Sequence, residues 1–220
     1  MRQAAKVLAA GFVFGSVAGA TGSNAAFFSF PMALKSQLAQ IRLTDPVLAP
    51  MAHVRFCLRY QEECAVHGID FRRRNFALTA ERWKELNAIN REVNRDIVPQ
   101  PNLGGLATEE WVVSPPAGDC NDYAVTKRHM LLARGWPSRA LLLSEVVVPS
   151  GEHHLVLVVR MKDGDLVLDN LNANVRTVAM TRYQYQWLRI ESPYNPKYWS
   201  GVNVPAPVRV AAMADGGDSR

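Results

Sequence analysis

A chain of 220 residues with 48% hydrophobic and 20% charged side chains has the composition of a folded globular protein, long enough for one domain with a sizeable core, and this excludes an intrinsically disordered chain. The formal net charge of +5 includes Arg2 and Lys6, and the one basic run, Arg72-Arg73-Arg74, lacks interleaved aromatics, so nucleic acid is not an expected partner. Beyond the N-terminal stretch, no segment approaches the ~20 apolar residues of a membrane-spanning helix.

Arg2 and Lys6 precede an uncharged stretch from Val7 to Ala20 that closes on Ala18-Gly19-Ala20, the pattern of a secretory signal peptide cut before Thr21. Residues 1–20 are read as that leader, whose removal takes away two positive charges and no acid and leaves +3. Residues 21–50, with Pro31, Pro46 and Pro50 and no sustained period, are read as an N-terminal segment leading into a single domain over 51–205. In an exported chain, three cysteines allow one disulfide and leave one thiol over. Cys57 and Cys64 are near enough to close a short loop and are the expected pair, which singles out Cys120.

From Thr79 to Ile97 the apolar positions Trp83, Leu86, Ile89, Val93 and Ile97 recur every three or four residues, with Thr79 placed to cap and Pro99 to stop, so a helix is expected. Pro99, Pro101, Gly104-Gly105, Pro115-Pro116 and Gly118 then predict a long loop. The pattern from Cys120 to Arg134 is helical again, with Asp119 as the cap and Gly135 as the stop, which puts Cys120 at a helix N-terminus. Ala140 to Val148, His154 to Met161 and Asp165 to Leu171 read as consecutive antiparallel strands, the last two joined by the Lys162-Asp163-Gly164 turn. Residues 175–204 are expected to add one further strand and closing loops, and 206–220 a flexible tail.

A thiolate is the attacking form of cysteine, and helix N-terminal dipoles and N–H groups favour that form and can face an oxyanion. Asp119 and Asp122 oppose it unless hydrogen bonds or a cation occupy them, and Asp119, Asn121 and Asp122 offer hard oxygen ligands to such a cation. A base must be one of five histidines, His53, His67, His129, His153 and His154. Only the last two open a strand, and alternation turns them to opposite faces that are both apolar, so the pattern alone leaves the choice open. Asp169, at the end of an otherwise apolar strand on the hairpin partner, needs a buried partner that an imidazole N–H would supply. Each feature has a blander reading: a small core cysteine, a surface histidine pair, an Asp-Asn turn. Their succession as Cys, His, Asp on a helix start and two paired strands follows the papain and transglutaminase order.

Gly118-Asp119-Cys120-Asn121-Asp122-Tyr123-Ala124, followed by Lys127 and Gly135, resembles the nucleophile motif of the bacterial transglutaminase-like cysteine peptidases. The stretch from Leu86 to Asn94 resembles that family's upstream helix, Trp111 its tryptophan, and His154-Leu-Val-Leu with Leu168-Asp169-Asn170 its base and acid. The resemblance selects His154 and implies an α+β, papain/transglutaminase-like fold, with the nucleophile at a helix N-terminus packed on an antiparallel sheet carrying the histidine and the aspartate. It implies an exported, periplasmic cysteine peptidase in which His154 deprotonates Cys120, Asp169 orients the ring and water resolves a thioester. The Cys120 N–H and Trp111 would face the oxyanion.

The best-known family members depend on calcium and cut large surface adhesins, which disperses biofilm. The resemblance therefore implies a protein substrate such as a surface adhesin, an inner-membrane regulatory partner, and Ca2+ at Asp119, Asn121 and Asp122. Asn121 stands where adhesin-cleaving members tend to carry an acid. Two rival readings keep the same residues: an acyl transferase or amidase using the same triad, and a non-catalytic periplasmic binding domain.

Overall fold

The computed structural model describes residues 38–67, 77–105 and 108–205. The expected leader, residues 21–37, the Arg72-Arg73-Arg74 run and the expected tail lie outside them. Strand β1 (Arg42–Val47) leads into helix α1 (Met51–Arg59), and helix α2 (Ala80–Asp96) is followed by the two short strands β2 (Val98–Pro99) and β3 (Ala117–Gly118). Helix α3 (Cys120–Ala133) then precedes strands β4 (Leu141–Val147), β5 (His153–Arg160), β6 (Asp165–Leu168) and β7 (Arg176–Thr177). A single-turn helix α4 (Val178–Thr181) and strands β8 (Gln186–Glu191) and β9 (Trp199–Asn203) close the described chain. The architecture is α+β, as expected.

Both long helices start at side chains that take up otherwise unpaired N–H groups. The Thr79 hydroxyl accepts the Arg82 N–H at the head of α2. Asp119 and Asp122 form a reciprocal capping box at the head of α3, and Gly135, with φ +82°, lies just beyond its end. Seven antiparallel strands form the main sheet in the order β1-β9-β8-β4-β5-β6-β7. β5 is an interior strand, pairing Val146 of β4 with His154 and Leu168 of β6 with Leu157. Its side chains alternate between two cores. Leu155, Leu157 and Val159 pack with Leu86, Ile89 and Val93 of α2 and Leu131 of α3, whereas Val156 and Val158 join Leu142, Val146 and Ile190 on the other face.

Two regions differ from expectation. The segment read as leading into the domain over 21–50 contains β1, which pairs with β9 from Arg42↔Asn203 to Val47↔Trp199. Its strand pattern is hidden because it is an edge strand with mostly exposed side chains, and Pro46 sits at the register shift, where a missing N–H is tolerated. Residues 175–204 hold three strands and a helical turn in place of one strand, since β7 is too short to show a period. The long loop is present, but its base is closed by β2 and β3 in parallel, with the Gln100 N–H bonded to the Gly118 carbonyl at 2.9 Å. Cys57 and Cys64 form the expected disulfide, tying α1 to the following turn with Cα atoms 5.4 Å apart. No helix among the described residues is long and apolar enough to cross a membrane.

Candidate active site

The N-terminus of α3 and the start of β5 open on one cleft of about 570 Å³, lined in part by Cys120, His154, Trp111, Glu109 and Asp119. Cys120 is the free cysteine and is partly buried. His154 Nε2 lies 2.9 Å from Asp169 Oδ1, with both side chains buried. A carboxylate can only accept, so the neutral ring carries its proton on Nε2 and keeps the Nδ1 lone pair. That ring makes no other hydrogen bond among the described residues. His153 lines the same cleft but is engaged differently: its Nδ1 meets Glu145 Oε1 at 2.5 Å, and Glu145 is also bound by Arg189 Nε at 2.5 Å.

Asp169 is held on both oxygens. Oδ1 also accepts the Leu171 N–H at 3.0 Å, and Oδ2 accepts Asn172 Nδ2 at 2.8 Å and the Tyr185 hydroxyl. Burial alone would raise its pKa, but the hydrogen bond and charge of His154, with Tyr185 and the Leu171 N–H, outweigh it and hold the carboxyl well below the usual range. Tyr185 and Asn172 were not singled out from the sequence, because neither belongs to a motif or shows a period.

The thiol does not follow the dipole expectation. Burial pushes Cys120 up to about 12, the Leu155 backbone N–H opposes this, and the carboxylates of Asp119, Glu109 and Glu152 add to the rise. Removal from water and three nearby negative charges thus act against the thiolate that the helix N-terminus favours. Lys127 of the same helix is fully buried with no hydrogen-bond partner for its Nζ among the described residues, and burial pulls it down to about 7 against the opposing charge of Asp169.

The family model of the bacterial transglutaminase-like cysteine proteinases matches residues 43–206. The chain belongs to that family. That is a family of cysteine proteinases, and Cys120 is the chain's one unpaired cysteine. No curated protein matches it. Among solved structures, calcium-bound LapG of Legionella pneumophila is similar at 22% identity and TM-score 0.43, over 49% of this chain and 63% of that one. The EGTA-treated form of LapG is similar at 22% identity and TM-score 0.41, over 49% and 61%. The peptidase thus spans slightly less than two thirds of the LapG chains it resembles.

Two expected roles meet a different geometry in this peptidase. The Trp111 indole N–H donates to Glu109 Oε1 at 2.8 Å, so it is not a free donor for an oxyanion. The Cys120 N–H, at the first helical position, has no acceptor within its helix. Asp122 points away from the cleft into the loop before α3, where Oδ1 takes the Val112 N–H at 2.7 Å and Oδ2 the Asp119 N–H at 3.1 Å. Burial raises its carboxyl to about 6, which those two N–H groups oppose. Asp119, Asn121 and Glu109 are among the oxygen-bearing side chains that line the cleft, with Glu145 and Glu152, and Asn121 Nδ2 donates to Glu109 Oε1 at 2.7 Å. Hard oxygen donors suit calcium, so Asp119, Asn121 and Glu109 are the nearer candidates for such an ion, whereas both oxygens of Asp122 are taken by backbone N–H groups. Glu109 was hidden in the loop sequence, where only folding brings it beside residue 121.

Proposed function

We propose that this peptidase hydrolyses peptide bonds of a protein substrate with Cys120 as nucleophile, His154 as base and Asp169 as the acid that orients the ring. The observation that carries the reading is the buried 2.9 Å bond from His154 to Asp169, whose ring shares a cleft with the one free thiol. His154 Nδ1 takes the Cys120 proton as sulfur attacks the amide carbonyl, which matches a thiol that burial and nearby carboxylates bias towards its protonated form. The carbonyl electrons move to oxygen, which faces the Cys120 N–H. As the carbonyl reforms, the C–N bond breaks and the imidazolium gives its proton to the leaving amine, leaving a thioester. His154 then deprotonates water, which attacks the thioester and releases the carboxylic acid and the thiol.

Calcium, held by Asp119, Asn121 and Glu109, would offset the carboxylate charge that keeps the thiol protonated. The expected leader at residues 1–20 and the Cys57–Cys64 disulfide support an exported, periplasmic protein. The family resemblance supports a surface adhesin as substrate and an inner-membrane protein as regulator, acting on a domain that runs from β1 to about residue 205. The test compares proteins shed by cells carrying the wild type or Cys120→Ala, with and without a calcium chelator. Fragments that vanish in Cys120→Ala support hydrolysis. Identical fragments from both strains overturn it, and amine-labelled protein in place of shortened fragments would replace it with acyl transfer.

A further inference from the structure

Asn87, Asn90 and Asn94 lie three and four residues apart on α2 and therefore share one face of that helix. Asn87 and Asn90 are buried and Asn94 is half-buried, where an amide is costly unless bonded. All three reach across to the backbone that follows β6. Asn90 Oδ1 accepts the Asp169 N–H at 3.0 Å, while its Nδ2 donates to the carbonyls of Asn172 at 2.8 Å and Ala173 at 3.2 Å. Asn94 Nδ2 donates to the Asp169 carbonyl at 3.0 Å and to that of Asn172 at 3.1 Å. Asn87 Oδ1 accepts the Val175 N–H at 3.0 Å, six residues past the acid.

The two backbone polar groups of Asp169 therefore both end on α2. The need is local: β6 stops at Leu168, whose pairing with Leu157 is the last in that ladder, so the sheet no longer fixes the next peptide. α2 can replace the sheet because Leu86, Ile89 and Val93 anchor it in the core beneath β5 and β6. A functional group has to be held within about 0.5 Å, and a displacement of ~1 Å can cost ~100-fold in rate.

We propose that Asn90 and Asn94 are positioning residues that set the direction from which Asp169 meets His154, and so decide which ring nitrogen is left for Cys120. This rests on the reading of Cys120, His154 and Asp169 as the reacting group. Asn87 is the internal contrast, since it grips the same segment without touching Asp169.

Long-range 1H–15N spectra of the full chain, with His154 assigned through His154→Gln, read the ring tautomer directly and need no substrate. The neutral wild-type ring is expected as Nε2–H. Asn90→Ala and Asn94→Ala each lower the ratio of Nε2–H to Nδ1–H several-fold, towards the value in Asp169→Ala, whereas Asn87→Ala keeps the wild-type ratio. If Asn90→Ala fails to fold, the half-buried Asn94→Ala decides. A ring that answers Asp169→Ala but keeps its wild-type ratio in folded Asn94→Ala overturns the clamp alone. A ring that ignores Asp169→Ala overturns the triad on which the clamp rests.

Discussion

Two buried histidine–carboxylate pairs in this molecule share the same 2.9 Å separation yet face different surroundings. His154 meets Asp169, and its ring lines the cleft with Cys120. His53 of α1 meets Glu191 of β8, but its Nδ1 takes the Trp199 indole N–H at 3.2 Å, so both ring nitrogens are occupied. Glu191 in turn accepts the Leu143 N–H at 2.9 Å and lies 3.8 Å from Arg128 Nε. Trp111 and Trp199 pack edge-on against the His53 ring, and the Cys57 sulfur is 3.6 Å from Nε2. An imidazole without a free nitrogen cannot move a substrate proton, so this pair ties a helix to the sheet. What separates the two pairs is the ring nitrogen left without a hydrogen bond beside the cleft that holds Cys120, not the pair itself.

The sharpest way to break this comparison is to remove each histidine in turn. His154→Ala should lower turnover ~1000-fold or more in protein that still folds, since Asp169 keeps the Leu171 N–H, Asn172 and Tyr185 as donors and the loss of its buried partner lowers the unfolding midpoint without abolishing the fold. His53→Ala should act on stability alone, costing ~3–5 kcal/mol because Glu191 is left buried beside a vacated partner, with turnover per folded molecule retained. Urea unfolding and single-turnover assays on the same preparations separate the two. A fully folded, inactive His53→Ala would show that the brace takes part in chemistry.

The disulfide next to His53 gives the next largest effect. A sequence separation of seven between Cys57 and Cys64 closes only a short loop, so Cys57→Ser with Cys64→Ser should cost ~2–3 kcal/mol in thermal or urea unfolding and leave turnover of folded protein unchanged.

These two regions also differ in how much the sequence discloses. The elements of the proposed triad are local in character: a capping aspartate before Cys120, a strand opening at His154, a hairpin turn bringing Asp169 back beside it. Each leaves a mark in spacing or turn chemistry. The choice between His153 and His154 left none, because both neighbouring faces are apolar and only the three-dimensional partners, Glu145 for one and Asp169 for the other, distinguish them. His53 and Glu191 are 138 residues apart and belong to no motif, so their pairing depends wholly on how α1 docks on the sheet. Glu109 and Tyr185 were hidden for the same reason. The helix dipole at Cys120 was legible, but its outcome was not, since desolvation and distant carboxylates are properties of the folded environment.

Tyr185→Phe makes the comparison finer, because Asp169 has a hydroxyl donor where Glu191 has a guanidinium nearby. Losing one donor to a buried carboxylate costs ~1–3 kcal/mol, so turnover should fall by up to ~5- to 150-fold with KM nearly unchanged. Retention of wild-type turnover would mean that His154, Asn172 and the Leu171 N–H hold Asp169 without it.

The smallest effect concerns the charges around sulfur. Glu109→Gln keeps an acceptor oxygen for Trp111 and Asn121 but removes one of the carboxylates that raise the Cys120 thiol. The sign follows from the ionisation: a negative neighbour disfavours the thiolate, so neutralising it lowers the thiol pKa and enlarges the thiolate fraction at any pH below about 12. Iodoacetamide should therefore react with wild-type Cys120 at a rate that climbs through the alkaline range, and the Glu109→Gln profile should shift to lower pH, reacting ~2- to 5-fold faster near neutrality at low salt. Added salt should shrink that difference by screening. On the proposed calcium site, added calcium should act in the same direction on the wild type and lose most of that effect in Glu109→Gln. An unchanged profile in Glu109→Gln would strike Glu109 from the causes of the raised thiol, leaving burial, Asp119 and Glu152, and would remove the electrostatic reason for a cation at Glu109.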